Sequence, residues 1–389
     1  MKCVQCKGDL RLPIELGEVF TSHDYYQKQA SLAQRKFELG LVQCQDCGLI
    51  QLGKKSSVQD LVRQHSWLKC TEPEGHFPQL LEQLSPLIGK SPVKNLMGLS
   101  SKDQSLLDQL IQRQLALQSK TYFEGQHPEY PGFPGVEVVG ELICNDYHPI
   151  SADFIVARHI LEHTHNLQQF LSQTKKLLAP DGKILFEVPD CIKYLEALDY
   201  TMIWEEHTLY FTPNTLKMTL ERAGFDILFL ESYDCGNEQA LVALVEAGEP
   251  KQETINKDQE DRLYCNFYEN FEPRKRDWQN YLRKRKEQGK KIAVFGAGHI
   301  AEAFLNFYEV GESIDLVVDD NPNLEGLAMP KSHIPIFPSR ALIDQNIDEC
   351  ILTLAPDTEK KVLAKQEAYL SRGGKFISLF PHSQTLDTV

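Results

Sequence analysis

Long apolar runs are missing from this chain of 389 residues, and none approaches the roughly 20 residues that cross a bilayer. The start, Met1-Lys2-Cys3-Val4-Gln5-Cys6, lacks an apolar h-region, so no signal peptide is expected. Positive charge is scarce, with 41 Lys and Arg against 55 Asp and Glu, a formal net charge of −14. Such a chain is a poor general binder of nucleic-acid phosphate, although small anionic ligands are not excluded. No short-period repeat and no low-complexity tract is present. These absences predict a soluble cytoplasmic protein with no membrane and no nucleic-acid partner. A disulfide framework is missing as well. Of ten cysteines, four form two C-x-x-C pairs and the others (Cys70, Cys144, Cys191, Cys235, Cys265, Cys350) are scattered. In a reducing compartment that pattern means a metal site plus free thiols.

What is there suits two or three domains, since 389 residues exceed one ordinary core. Hydrophobic content of 42% and charged content of 25% are normal for a globular protein. Residues 1–70 hold the paired cysteines and short strand-like runs. Thr71-Glu72-Pro73-Glu74 reads as a helix start, with Thr71 as N-cap and Pro73 in the first turn. Residues 71–248 alternate strand and helix. Strands are expected at 93–99, 115–123, 136–143, 152–157 and 182–189, with helices at 106–115, 167–178 and 213–223. Strands at 225–231 and 240–246 are joined by too short a loop for a crossover helix, so they form an antiparallel pair. Residues 249–290 read as a helical linker whose second half is basic, either a solvated face or a phosphate-facing edge. Residues 291–389 restart a β-α-β alternation as a smaller α/β domain. The fold class is therefore α/β.

Cys3-x-x-Cys6 and Cys44-x-x-Cys47-Gly48 are two knuckles that complete a tetrahedral all-thiolate zinc site with no open position, hence structural. Free or redox-active thiols are the plainer alternative. Gly296-Ala297-Gly298-His299-Ile300-Ala301 resembles a G-x-G-x-x-A dinucleotide turn, and the next strand ends in Asp319-Asp320. A tight strand-to-helix turn needs the same glycines without any dinucleotide. Lys94 to Leu107 is a candidate cofactor loop carrying Gly98, Ser100, Ser101 and Asp103. Glu124 lies where an acid holds ribose hydroxyls. Arg158-His159-Ile160-Leu161-Glu162-His163-Thr164-His165 follows a strand and contains the H-x-x-E-H pattern of inverted zincins, which needs a continuous helix. Trp204-Glu205-Glu206-His207-Thr208-Leu209-Tyr210-Phe211-Thr212-Pro213 sits beyond a buried strand, where α/β sheets place their ligand crevice. A histidine beside carboxylates there suits a general base; the alternative is a loop whose Thr212 caps the next helix.

Four segments together carry a resemblance: the N-terminal cysteines, Arg158 to Asp190, Glu206 to Ala223, and the Gly296-Ala297-Gly298 domain. They resemble the three-domain, zinc-containing, S-adenosylmethionine-dependent sugar C-methyltransferases, which act on nucleotide-linked 4-keto deoxysugars. That resemblance covers nearly the whole chain. It implies an N-terminal zinc domain, a central class I methyltransferase sheet, and a C-terminal Rossmann-like domain that helps enclose substrate without a dinucleotide. It implies catalytic roles for Glu206 and His207, with Tyr210 and His163 nearby. It makes Gly98, Ser100, Ser101, Asp103, Glu124, Arg158 and His159 candidate S-adenosylmethionine contacts. Departures are visible too. The family loop reads E-I-G-x-N-D-G-x-L-L, whereas Gly98, Ser100 and Gln104 stand here for the acid and two glycines, and Asp103, Leu106 and Leu107 are kept. Tryptophans stand near two tyrosine positions, Trp67 and Trp204.

The expected chemistry is deprotonation of a carbon beside a ketone by His207, with Glu206 orienting or balancing the imidazolium. The enolate then takes a methyl group, its oxygen served by Tyr210 or His163. The implied substrate is a small molecule, a nucleotide-diphosphate sugar. Two alternatives keep the fold. One is a keto-sugar epimerase or isomerase without methyl transfer; the other is a non-catalytic binding protein.

Overall fold

The computed structural model describes residues 2–21, 24–25, 35–63, 72–89, 91–123, 128–130, 135–145, 151–235, 238–252, 256–380, 383 and 386–389. Glu124, Trp67 and Thr71 lie outside the described residues. The chain folds as two units made of interleaved segments. The first comprises Met1–Pro13, Leu41–Lys193 and Glu206–Leu263; the second comprises Ile14–Gly40, Tyr194–Glu205 and Tyr264–Val389.

The chain opens with β1 (Leu10–Phe20), β2 (Lys36–Cys44) and β3 (Ile50–Leu52). β2 and β3 pair antiparallel, Leu41 opposite Leu52, and the turn between them carries Cys44 and Cys47. Gly48 closes that turn at φ 68°, a left-handed conformation that favours glycine. A single-turn α1 (Val58–Leu61) follows, capped by Ser57. The next helix, α2 (Phe77–Ile88), starts later than the sequence predicts. Its first-turn proline is Pro78, whose missing N–H is harmless there. Glu72, Pro73 and Glu74 instead run non-helical and give their side chains or carbonyl to Lys102 and Arg158.

The central sheet comes next. Its first elements are β4 (Leu96–Gly98), α3 (Gln104–Gln112), β5 (Ser119–Thr121), α4 (Val136–Asn145), β6 (Ala152–Arg158), α5 (Leu167–Lys176) and β7 (Leu178–Pro189). The chain continues with α6 (Ile192–Ala197), β8 (Leu209–Tyr210), α7 (Pro213–Arg222), β9 (Phe225–Asp234) and β10 (Gln239–Ala247). The strand order is β5-β4-β6-β7-β10-β9, parallel through β7 and closed by the antiparallel β10 and β9. The expected closing hairpin is therefore present. The strand expected at 136–143 is not: that segment is α4. Its valines favour strand locally, but they divide at helical spacing between two apolar partners. Val136, Val139 and Ile143 enter the main core, and Val138 packs with Val58 and Val62. The second strand is also short, three residues rather than the run from 115 to 123.

Side chains alternate across this sheet, as period-two strands require. Phe154, Val156, Leu185 and Val242 face Phe77, Leu80, Leu81 and Leu84 of α2. Ile155, Ala157, Phe186 and Leu241 face the opposite cluster with Phe170 and Leu216. Being covered on both faces makes β6 and β7 continuous apolar runs, so the charges of Arg158 and Glu187 stand out.

The segment read as a linker holds one 31-residue helix, α8 (Lys257–Glu287), which begins in the first unit and ends in the second. In the second unit it buries Tyr264, Phe267, Phe271, Trp278 and Leu282. Several of its basic residues pair with acids of that unit: Lys275 with Glu309, Arg285 with Glu349, and Lys286 with Asp315. Those three cations are thus engaged within the unit.

The second unit continues with β11 (Ile292–Phe295), α9 (His299–Phe307), β12 (Leu316–Val318), β13 (Ile336–Phe337) and α10 (Ala341–Asp344). It ends with β14 (Glu349–Leu352), α11 (Pro356–Lys365), α12 (Glu367–Ser371) and β15 (Lys375–Ser378). The order β13-β12-β11-β14-β15 is all parallel, a Rossmann-like sheet. No helix among the described residues is long and apolar enough to cross a membrane.

Candidate functional site

The four N-terminal cysteines converge. Cys3 Sγ stands 3.6 Å from Cys47 Sγ, and Cys6 Sγ stands 3.4 Å from Cys44 Sγ. All four sulfurs lie within 4.8 Å of one another. Zinc–sulfur bonds of about 2.3 Å in a tetrahedron put sulfurs roughly 3.8 Å apart, so the thiols fit a closed zinc site. Crowding also separates their acidities. Hydrogen bonds from Cys3 and Cys47 hold Cys44 well below the ordinary thiol range, and bonding to Cys44 pushes Cys3 up to about 12.

The loop after β4 is closed by Asp103. Its Oδ2 accepts from the N–H of Leu99 (2.7 Å) and Ser100 (2.8 Å), and its Oδ1 from the N–H of Arg158 (2.7 Å). Ser100 Oγ accepts from the Lys102 N–H at 3.2 Å. Burial pushes Asp103 up to about 7 against these bonds. A Cβ on Gly98 would stand 2.8 Å from Leu107 and 2.9 Å from Asp103, so this glycine serves close packing on α3. Ser101 is exposed.

Beneath that loop lies a buried ionic network at the ends of β6 and β7. Glu187 binds the Arg158 guanidinium in two places, at 2.9 and 3.0 Å. The same carboxylate meets His159 Nε2 at 3.1 Å and His76 Nε2 at 3.3 Å. His159 takes a left-handed φ of 46°, which turns it from the following helical turn towards Glu187 and Glu72. The H-x-x-E-H stretch is therefore no continuous helix; Leu161–His163 is a single 3-10 turn. Burial alone would lower His159, yet Glu72, Glu162 and Glu187 outweigh it and raise it to about 10. At the rim, Lys102 pairs with Glu72 at 2.6 Å. This donor set suits a zwitterionic, cation-bearing cofactor such as S-adenosylmethionine: an ammonium to meet a carboxylate, and carboxylates to meet positive charge. Sequence reading missed Glu187, Glu72 and Lys102. The signal for Glu187 was a lone acid inside the apolar run Ile184 to Val188.

The Glu206-His207 segment is stitched to the loop after β6. Thr208 donates its N–H to Glu162 O (2.8 Å) and its Oγ1–H to Thr164 O (2.7 Å). Leu52 N–H donates to Thr208 O, and β8 pairs with β3, so the cysteine-bearing sheet holds the same segment. These ties bring His207 to His163, ring centroids 4.6 Å apart. Glu206 Oε2 lies 3.5 Å from Arg63. Glu137, which the strand expected at 136–143 conceals, lies on α4 2.5 Å from His163 Nδ1. Burial and the neighbouring His163 lower His207 to about 3, so its imidazole is neutral at pH 7. Tyr210 is buried in β8, its ring 6.3 Å from that of His207. Thr212 does cap α7, and its hydroxyl also donates to Glu260 at 3.0 Å. The cap and the Glu-His cluster use different residues, so one loop serves both ends. A hollow of about 440 Å³ lies a turn along α4, lined by Glu129, Tyr130, Glu141 and His165 among others.

In the second unit, Gly296 has φ 99° at the expected turn. Asp319 Oδ2 accepts from the Ala297 N–H at 2.9 Å, and Asp320 Oδ1 from the Ser339 N–H at 2.9 Å. The acids expected to hold ribose are thus engaged with backbone. Tyr25 donates to Ala297 O at 2.8 Å, and Trp204 stacks on His299 at 4.4 Å.

Known proteins resemble both parts of the chain. Residues 54–229 match the family model of a methyltransferase domain, and residues 237–381 that of the C-methyltransferase C-terminal domain. Over 261 residues the chain is 24% identical to C-methyltransferase NovU of Streptomyces niveus, covering 64% of this chain and 61% of that protein. The match thus spans less than two thirds of that relative's length. Among solved structures, 1,6-didemethyltoxoflavin-N1-methyltransferase of Burkholderia thailandensis aligns at 16% identity and a TM-score of 0.33, over 45% of this chain and 80% of that one. Human N-acetylserotonin methyltransferase aligns at 15% identity and a TM-score of 0.32, over 45% and 52%. The chain thus matches, in order, a methyltransferase domain and the C-terminal domain of C-methyltransferases.

Proposed function

We propose that the protein is an S-adenosylmethionine-dependent C-methyltransferase acting on a nucleotide-linked keto-sugar or a similar small carbonyl compound. The observation that carries this reading is the meeting of a neutral His207 with His163 and Glu206, beyond β6 and β7 of a sheet in methyltransferase order. A neutral imidazole can take the proton from the carbon beside a carbonyl; the bonding pair stays behind as an enolate. Glu206 is the carboxylate next to the imidazolium so formed. His163 or Tyr210 serves the enolate oxygen. S-adenosylmethionine, when bound, supplies an electrophilic methyl group. Ser101, Glu72, Lys102 and the backbone at Arg158 and His159 are the residues that would hold it. A zinc ion on Cys3, Cys6, Cys44 and Cys47 would tie the sheet that carries β3 and, through it, the Glu206-His207 segment.

A second reading keeps the proton chemistry and omits the methyl donor, giving epimerisation or isomerisation. The observation favouring it is the loop after β4, whose backbone N–H groups are engaged by Asp103. Calorimetric titration with S-adenosylmethionine separates the two. Micromolar binding supports methyl transfer. No binding, together with solvent deuterium entering a keto-sugar nucleotide, supports the second reading.

A further inference from the structure

Glu137, His163 and Glu206 converge from three elements: the first turn of α4, the 3-10 turn after β6 and the segment before β8. One ligand atom of each lies within 4.8 Å of the others. Glu137 is 5% exposed, His163 2% and Glu206 1%. Glu137 Oε1 stands 2.5 Å from His163 Nδ1. Yet neither atom, nor His163 Nε2, has a hydrogen-bond partner among the described residues. A buried carboxylate oxygen and a buried ring nitrogen without hydrogen bonds each cost free energy. A metal ion bound by both satisfies both at once. Glu206 Oε2 also meets Arg63 at 3.5 Å, but a carboxylate has two oxygens and can serve an arginine and an ion together. A second group, Glu162, His163 and His207, shares the same histidine. There Glu162 already meets His159 at 3.4 Å, and a ligand role would take His207 away from the substrate.

We propose that Glu137, His163 and Glu206 bind a divalent first-row metal ion of the Mn²⁺ or Fe²⁺ type. Two carboxylates and one imidazole suit such ions, whereas the soft thiolates of Cys3, Cys6, Cys44 and Cys47 suit zinc. The two carboxylates also balance the charge of the ion, which a buried cation requires. Three protein ligands leave coordination positions open, as in catalytic rather than structural centres. An open position takes the ketone oxygen of the substrate. When the neighbouring C–H bond breaks, its proton goes to His207 and its electron pair becomes the enolate, whose oxygen the ion stabilises. His163 then serves the enolate oxygen through the ion, and His207 stays outside the ligand set as the base. This catalytic role rests on the proton-abstraction reading of the site; binding of the ion does not.

Mn²⁺ titrated into the purified, zinc-loaded full chain tests this, followed by the electron paramagnetic resonance signal of free Mn²⁺. About one Mn²⁺ per chain should bind beyond the zinc. Glu137→Gln keeps the volume and removes the charge, and should weaken that binding about tenfold or more. Electron spin-echo spectra of the bound Mn²⁺ should show an imidazole nitrogen that is lost in His163→Asn and kept in His207→Asn. Zinc content and thermal melting check that each variant folds. No Mn²⁺ bound by the wild type, or equal binding by a folded Glu137→Gln, would overturn the proposal. So would loss of the nitrogen signal in His207→Asn alone, which puts the ion on Glu162 and His207 instead. If the ion binds as described but the wild type removes no substrate proton, the proton-abstraction reading is lost while the metal site stands.

Discussion

His163 and His207 meet edge to face, with 4.6 Å between ring centroids, although 44 residues separate them in sequence. Two ties hold them there. Thr208 bonds the carbonyls of Glu162 and Thr164, and α4 places Glu137 behind His163.

The first consequence concerns pH. An unfolded histidine titrates near 6.5, whereas folded His207 does so at about 3, because burial and His163 oppose its charge. Between those values the unfolded chain binds a proton that the folded chain does not. His207 therefore removes stability as pH falls from 6.5 towards 3. Comparing urea unfolding of wild type and His207→Asn isolates this group. The variant should gain relative stability on acidification, by up to about 1.4 kcal/mol per pH unit, with little change of the difference above pH 7. His159 has the opposite sign: raised to about 10, it contributes fully below 6.5 and its contribution is lost as pH rises towards 10.

Zinc removal should reach the catalytic segment. Cys44 and Cys47 sit on the β2–β3 turn, β3 pairs with β8, and Leu52 donates to Thr208 O. The purified protein should contain about one zinc per chain, and Cys44→Ser should abolish it. Amide hydrogen exchange should then rise at residues 206–210 as well as around the cysteines. Exchange confined to the N-terminal segment would show that the two are uncoupled.

Asp103 is the third case. Removing its carboxylate leaves the buried N–H groups of Leu99, Ser100 and Arg158 without their acceptor. Each such loss costs about 1–3 kcal/mol when water does not replace the acceptor. Asp103→Ala should thus destabilise the protein by roughly 2–4 kcal/mol and weaken binding of S-adenosylmethionine. Loss of stability without any effect on binding would make the loop a purely structural turn.

Local chemistry made much of this legible. Cysteine spacing pointed to a four-thiol cluster, Thr212-Pro213 to a helix cap, and the short gap before β10 to an antiparallel pair. Other features depended on partners distant in the chain. Val136 to Ile143 looks like a strand because its valines favour one, and becomes α4 because apolar clusters receive it on two sides. That misreading hid Glu137. Gly98 looked like a cofactor glycine, but its missing Cβ makes room for Leu107 and Asp103. Asp319 looked free for a ribose, and its partner is the backbone of the turn it follows. In each case the residue type was informative and its partner was not visible.

The central claim is that this site removes a proton from carbon and a methyl group replaces it. The most direct measurement supplies S-adenosylmethionine labelled in its methyl group, together with a nucleoside-diphosphate 4-keto deoxysugar, and locates the label in the product by mass spectrometry and carbon NMR. The account predicts label on the carbon beside the ketone with the wild type, and none with His207→Asn that still binds both ligands. Full activity in His207→Asn, or label on oxygen or nitrogen, would contradict it.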